Sequence, residues 1–157
     1  MTRVRLAFYK YQGDPVNLAI SKYTAMFNWK TPPYSHVELG IYQEDKWSYF
    51  SSTLRDGARG TRWISEKRLF KHEERWDVFA LDVDKTLLNM LDTIDSMIPA
   101  KYDLMGLLGF VAPFGCINSR NKWYCSEACW RVLFKWKKLI SPKRMYKDLK
   151  KDLVLVL

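Results

Sequence analysis

Tyr34-Ser35-His36-Val37-Glu38-Leu39 opens a strand-like run that reaches Tyr42, and a polar turn with Glu44, Asp45 and Lys46 separates it from a second such run over residues 47–53. Two β-like runs joined by a few polar residues read as a hairpin. Working outward, residues 4–9, 60–64 and 76–81 also read as strands, with Gly13-Asp14-Pro15 and Arg55-Asp56-Gly57 as turns. Residues 15–27 carry apolar positions near helical spacing, with Asp14 as N-cap and Pro15 at the first helical position. After residue 84 the helical period dominates. A helix is expected over 84–97 through Leu87, Leu88, Leu91, Ile94 and Ile98, and a short one over 104–110. Another is expected over 126–139, packing Cys129, Val132, Leu133 and Trp136 on one stripe. Ser141-Pro142 starts the last helix, and residues 153–157 close as a strand. This order predicts an α+β fold, an antiparallel sheet packed against helices.

A chain of 157 residues is expected to form one domain over 1–157 with a sizeable core. The formal charge of +9 points to an acidic partner: nucleic acid, an anionic membrane or an anionic envelope polymer. The densest basic block, residues 135–151, has the spacing of helices with solvated charged faces. No zinc-finger, RNA-recognition or basic-zipper pattern accompanies it, which ranks nucleic acid last. No apolar run reaches the ~18 residues of a membrane-spanning helix. The longest, residues 104–117, is interrupted by Gly106, Gly109, Pro113 and Gly115. Arg3, Arg5, Lys10, Gln12 and Asp14 near the start leave no apolar secretory core. The protein is therefore expected to be cytoplasmic as synthesised, phage-encoded or bacterial, and delivered to the envelope by another route if it acts there.

Trp123-Tyr124-Cys125-Ser126-Glu127-Ala128 places a cysteine where an amphipathic helix begins. A thiol there lies near unpaired backbone N–H groups and the positive end of the helix dipole, which favours thiolate. His36, at the opening of a strand, supplies an imidazole. Together they are the parts of a cysteine nucleophile and its base. Glu38, two residues on, projects from the same side of that strand and could orient the ring. Cys129 sits inside the apolar stripe and reads as core, Cys116 lies in a Gly- and Pro-containing loop, and His72 falls in a charged surface run. No Cys–His set has metal-ligand spacing, so neither a metal nor a cofactor is expected. The three cysteines suit a reducing compartment.

Ser35-His36-Val37 opening a strand, the run from Phe50 to Arg59, Lys101-Tyr102-Asp103 before Gly106, and Tyr124-Cys125-Ser126-Glu127 resemble the circularly permuted branch of the NlpC/P60 superfamily, with the YiiX/YebB-like cysteine peptidases as nearest likeness. Papain-like enzymes place cysteine before histidine; the permuted branch reverses this order, as here. The resemblance covers residues 6–139 and implies a permuted papain-like fold, Cys125 as nucleophile and His36 as general base. It also implies a third polar residue on the strand after the histidine strand, where alignment on Arg55-Asp56-Gly57 places Ser51 instead of the expected Glu, Gln or His. Either Glu38 substitutes, or the dyad works alone, or activity is weak or lost. Tyr34, Trp123 and Tyr124 flank the two segments as walls of a substrate groove or as ordinary packing. Glu127, near the helix N-terminus, complements the dipole.

The function so implied is a thiol hydrolase cleaving an amide in a peptide or cell-wall peptide (peptidoglycan) through a Cys125 acyl-enzyme. The alternatives are a lipid acyltransferase or hydrolase of the lecithin–retinol acyltransferase-like type, and an inactive binding module on the same fold.

Overall fold

Strand alternation sets the architecture. The computed structural model describes residues 2–10, 34–54, 57–103 and 122–157. β1 (Thr2–Lys10) sends Val4, Leu6 and Phe8 into one core cluster and Ala7 into another, as the period of two requires. β2 (Tyr34–Gln43) runs antiparallel beside it, with Leu6 opposite Leu39 and Phe8 opposite Val37. Glu44 and Asp45 then reverse the chain with φ of 50° and 58°, a mirror-image turn whose twist suits a hairpin. β3 (Lys46–Thr53) returns along β2, followed by β4 (Gly60–Ser65) and β5 (Trp76–Val83). Three two-residue strands, β6 (Lys101–Tyr102), β7 (Lys122–Trp123) and β8 (Val154–Leu155), complete an eight-stranded sheet. Its order is β7-β6-β4-β3-β2-β1-β5-β8. All neighbours are antiparallel except β6 and β7.

Four α-helices lie among the described residues: α1 (Glu66–Leu69), which runs into a 3₁₀ segment over Phe70–Arg75, α2 (Leu87–Asp95), α3 (Cys125–Phe134) and α4 (Pro142–Leu149). The fold is α+β. The larger core joins Leu6, Phe8, Val37, Leu39 and Phe50 to Met90 and Ile94 of α2, Ala128, Cys129 and Val132 of α3, and Met145 of α4. The smaller joins Ala7, Tyr49, Ile64 and Val78 to Leu69 and Trp76. α3 is buried on almost every side, as a helix inserted between a sheet and other helices must be.

The five strands expected in the first half are present, and the last helix starts with Pro142 behind Ser141, whose Oγ accepts from the Arg144 N–H at 3.2 Å. Two helix boundaries differ from expectation. α2 starts at Leu87 because Thr86 is its cap, the hydroxyl accepting from the Asn89 N–H at 3.3 Å. Leu88 is 68% exposed, so the buried stripe is narrower than the apolar pattern predicted. α3 ends at Phe134 instead of reaching residue 139, because Lys135 turns left-handed at φ 64° and its N–H closes on the Arg131 carbonyl at 2.9 Å. Trp136 lies past that turn, half exposed, so it is not part of the stripe; its ring meets Trp130 edge-on at 5.6 Å. The expected helices over 15–27 and 104–110, the turn residues Arg55 and Asp56, and Cys116 lie outside the described residues. No helix among the described residues is long and apolar enough to cross a membrane.

Candidate active site

The site forms where the N-terminus of α3 meets the start of β2. Tyr124 is extended (φ −107°, ψ 169°) and hands the chain from β7 into α3, so Cys125 occupies the first helical position. Side-chain bonds fix this entry. The Tyr124 hydroxyl donates to the Ile140 carbonyl at 2.9 Å and accepts from the Ile140 N–H at 2.6 Å. The Ser126 hydroxyl donates to the same carbonyl at 2.5 Å. Ser52 Oγ ties β3 to the Trp123 carbonyl at 2.6 Å. The helix start that carries the thiol is thereby tied both to Ile140, beyond the helix, and to β3.

His36 and Glu38 share the side of β2 opposite Val37 and Leu39. The Cys125 thiol and the His36 imidazole face each other, and each shifts the other's ionisation. The ring's Nε2 stands 2.8 Å from Glu38 Oε1, so Nδ1 is the nitrogen not held by the carboxylate. Glu38, 1% exposed, also accepts both terminal nitrogens of Arg62, Nη1 to Oε2 at 2.7 Å and Nη2 to Oε1 at 2.8 Å. A bidentate pair of this kind is the strong form of carboxylate recognition. The Trp76 ring packs edge-on against the imidazole with centroids 6.4 Å apart.

The result is a buried row of four groups, Cys125, His36, Glu38 and Arg62, whose charges alternate when the sulfur is a thiolate. Burial alone would raise the thiol pKa. The facing imidazole and the Val37 and Ser126 amides overcome it and hold the thiol below its ordinary value. Burial would likewise lower the imidazole, but the thiolate and Glu38 raise it above its ordinary value. For Glu38 burial is outweighed by His36 and Arg62, and its carboxyl is pulled down. The three shifts point the same way, each favouring the charged form of sulfur, ring and carboxylate.

Cys129, one helical turn further on, is the opposite case. It is fully buried, its Sγ 3.8 Å from the carbonyls of Val37 and Phe50, and burial together with the negative Cys125 and Glu38 pushes its pKa well up. Both cysteines are free thiols, but only the one at the helix start is poised to ionise.

Ser51, the residue aligned to the third position, does not reach the imidazole. Its hydroxyl donates to the Val37 carbonyl at 2.8 Å, just past the last β2–β3 pair, Leu39 with Phe50. Arg62 lies directly opposite Ser51 on β4. The polar partner on the ring is Glu38, and behind it stands an arginine that sequence reading did not single out. A cation in the middle of the strand Gly60–Ser65 was its only signal.

Tyr34, Trp123 and Tyr124 are core side chains. The Tyr34 hydroxyl donates to Asp77 Oδ2 at 2.6 Å, and its ring packs on Phe8 and Tyr146 at 5.0 Å each. Lys137 Nζ sits over Trp123 at 4.6 Å. His72 is exposed, as its charged surroundings suggested.

Glu127 lies in the first turn of α3, where an acid complements the dipole, yet it is fully buried. Burial, and secondarily Asp103, outweigh Lys137 Nζ at 3.3 Å and push its carboxyl up to about 7. Between pH 4.5 and 7 the folded chain therefore keeps a proton that the unfolded chain has released. Stability falls as pH rises through that window and levels off above it. Glu127→Gln is expected to remove this dependence, improving stability relative to the parent by ~2–3 kcal/mol more at pH 8 than at pH 5. Urea unfolding of both proteins at the two pH values checks it.

No protein-family model matches the chain, and no curated protein matches it.

Proposed function

We propose that the protein is a cysteine hydrolase that cleaves an amide bond through a Cys125 acyl-enzyme, on a permuted papain-like fold of the NlpC/P60 type. One observation carries this reading: a thiol at a helix N-terminus facing an imidazole whose Nε2 is held by a buried carboxylate. That is the nucleophile, base and orienting group of a triad. The order of His36 before Cys125 and the resemblance of the flanking motifs add support from the sequence.

In this mechanism the Cys125 sulfur attacks the substrate carbonyl carbon, and the carbonyl electrons move onto oxygen. N–H groups in the first turn of α3, which have no partner within the helix, stabilise that oxyanion. His36, protonated at Nδ1, gives its proton to the departing amine as the C–N bond breaks. Water then loses a proton to His36 and attacks the thioester, releasing the acid and regenerating the thiolate. Glu38 holds Nε2 and stabilises the imidazolium at each stage. Cell-wall peptides are the first substrates to try.

At pH 6 an ordinary thiol is almost wholly protonated, whereas the lowered pKa of Cys125 leaves a larger share of it as thiolate. Allowing for the weaker intrinsic nucleophilicity of a low-pKa sulfur, iodoacetamide is expected to alkylate Cys125 roughly tenfold faster than free cysteine at that pH. His36→Ala should abolish this advantage, and Cys125→Ala should abolish both labelling and peptide turnover. Turnover that persists in Cys125→Ala would sink the mechanism.

A further inference from the structure

Beside His36 and Glu38 opens a cavity of about 300 Å³ whose wall carries Arg62, Arg68, Lys71, His72 and Arg75. Its one carboxylate is Glu38, and that charge is already countered by His36 and Arg62. Arg75 and His72 share the exposed Glu74 at 3.6 and 3.7 Å. No carboxylate among the described residues pairs with Arg68 or Lys71. Leu69 and the aromatic pair Tyr9 and Trp76, centroids 5.1 Å apart, supply apolar wall between the cations.

This arrangement follows from the fold. α1 and the 3₁₀ segment pack Leu69 and Phe70 inward against Tyr49 and Trp76. Arg68, Lys71 and His72 are left facing outward around the cavity. A concave wall of one sign with an apolar backing focuses the potential and concentrates counter-ions.

We propose that this cavity binds an anionic oxyacid group of the substrate, a carboxylate or a phosphate, so that the hydrolase acts on acyl compounds carrying such a group beside the scissile bond. This assignment rests on the hydrolase reading of Cys125. Arg68 and Lys71 are the recognition cations, Arg62 belongs to the catalytic row, and the Trp76 ring separates the bound anion from the core.

Two alkylating agents that differ in charge test it. Iodoacetate carries a carboxylate and iodoacetamide does not, so the ratio of their rates on Cys125 reads anion recruitment independently of thiol reactivity. At low ionic strength that ratio is expected to exceed the ratio for free cysteine roughly tenfold. It should fall to the free-cysteine value in Arg68→Gln/Lys71→Gln. A ratio equal to that of free cysteine in the parent protein overturns the substrate assignment while leaving the hydrolase reading intact.

If Cys125 reacts with neither reagent, the hydrolase reading fails, and inorganic phosphate decides the cavity by itself. Phosphate titrated at constant pH and ionic strength should then move the His72 ring resonance saturably, and the double substitution should abolish the movement. A shift without saturation, or one that survives the substitution, overturns the anion site. Saturable binding of phosphate with no iodoacetate preference would place the anion away from the sulfur and overturn the substrate assignment.

Discussion

Glu38→Gln is expected to lower turnover on the order of 10³–10⁴-fold, with little change in the shape of the site. Glu38 accepts from His36 Nε2 and from both terminal nitrogens of Arg62. Oε1 faces both Nε2 and Nη2 while Oε2 faces Nη1, so either orientation of a glutamine sets its N–H₂ against a guanidinium nitrogen, which cannot accept. In either orientation the negative charge beside the ring is gone, and with it what stabilises imidazolium. Neutralising the third member of a serine-protease triad costs a comparable factor. The pH dependence of iodoacetamide labelling separates this from a folding defect: the Cys125 profile should move up toward that of an ordinary thiol. An unmoved profile would show that Glu38 does not govern the pair. Glu38→Ala is a harsher change. It removes the buried carboxylate that both terminal nitrogens of Arg62 reach, the arginine side chain being only 16% exposed, and should cost ~3–5 kcal/mol of stability.

Gly60→Ala should be the most damaging single methyl group in the described chain. A Cβ at Gly60 would lie 1.8 Å from the Ala100 carbonyl oxygen, a backbone atom with no room to retreat. That carbonyl accepts the Thr61 N–H at 2.9 Å, and Thr61 Oγ1 donates to the Met97 carbonyl at 2.6 Å while accepting the Ala100 N–H at 2.9 Å. Separating the two segments breaks this cluster together with the single β4–β6 pair, Gly60 with Lys101. The expected loss is about 3 kcal/mol or more, since several buried backbone groups lose partners at once. Gly57→Ala provides the contrast. Gly57 has φ of +76° but nothing within 4 Å of an added methyl, so only the left-handed backbone is penalised, by about 1–2 kcal/mol. Because β6 pairs with β7 immediately before Cys125, Gly60→Ala should also slow Cys125 labelling at pH 6, whereas Gly57→Ala should not. Equal losses of stability in the two variants would refute the close-contact argument.

The part of the site legible in sequence is the part that depends on local geometry. His36 and Glu38 are two apart on a strand, so their shared side follows from the pleat alone. Cys125 at a helix start follows from the aromatic lead-in and the apolar stripe after it. Arg62 was illegible because its partnership spans 24 residues and depends on the register of β3 with β4, which no local pattern encodes. Ser51 illustrates the same limit from the other side: the strand was identified, but its hydroxyl satisfies a backbone carbonyl where two strands part. The end of α3 was missed because a lysine, not a glycine, takes the left-handed position, so the usual stop signal was missing.

The alternation of charge along the buried row has a consequence in time. In the proposed reaction, acylation turns the sulfur into a neutral thioester while His36 passes its proton to the departing amine, so the row stays neutral overall. Arg62 holds its protons throughout and Glu38 stays ionised against it, so the imidazole is the one group whose charge follows that of the sulfur. Losing the thiolate loosens the ring's proton as the amine leaves, and the returning thiolate holds the proton that the ring takes from water. Sulfur and ring thus change charge together, against a carboxylate and a guanidinium that do not.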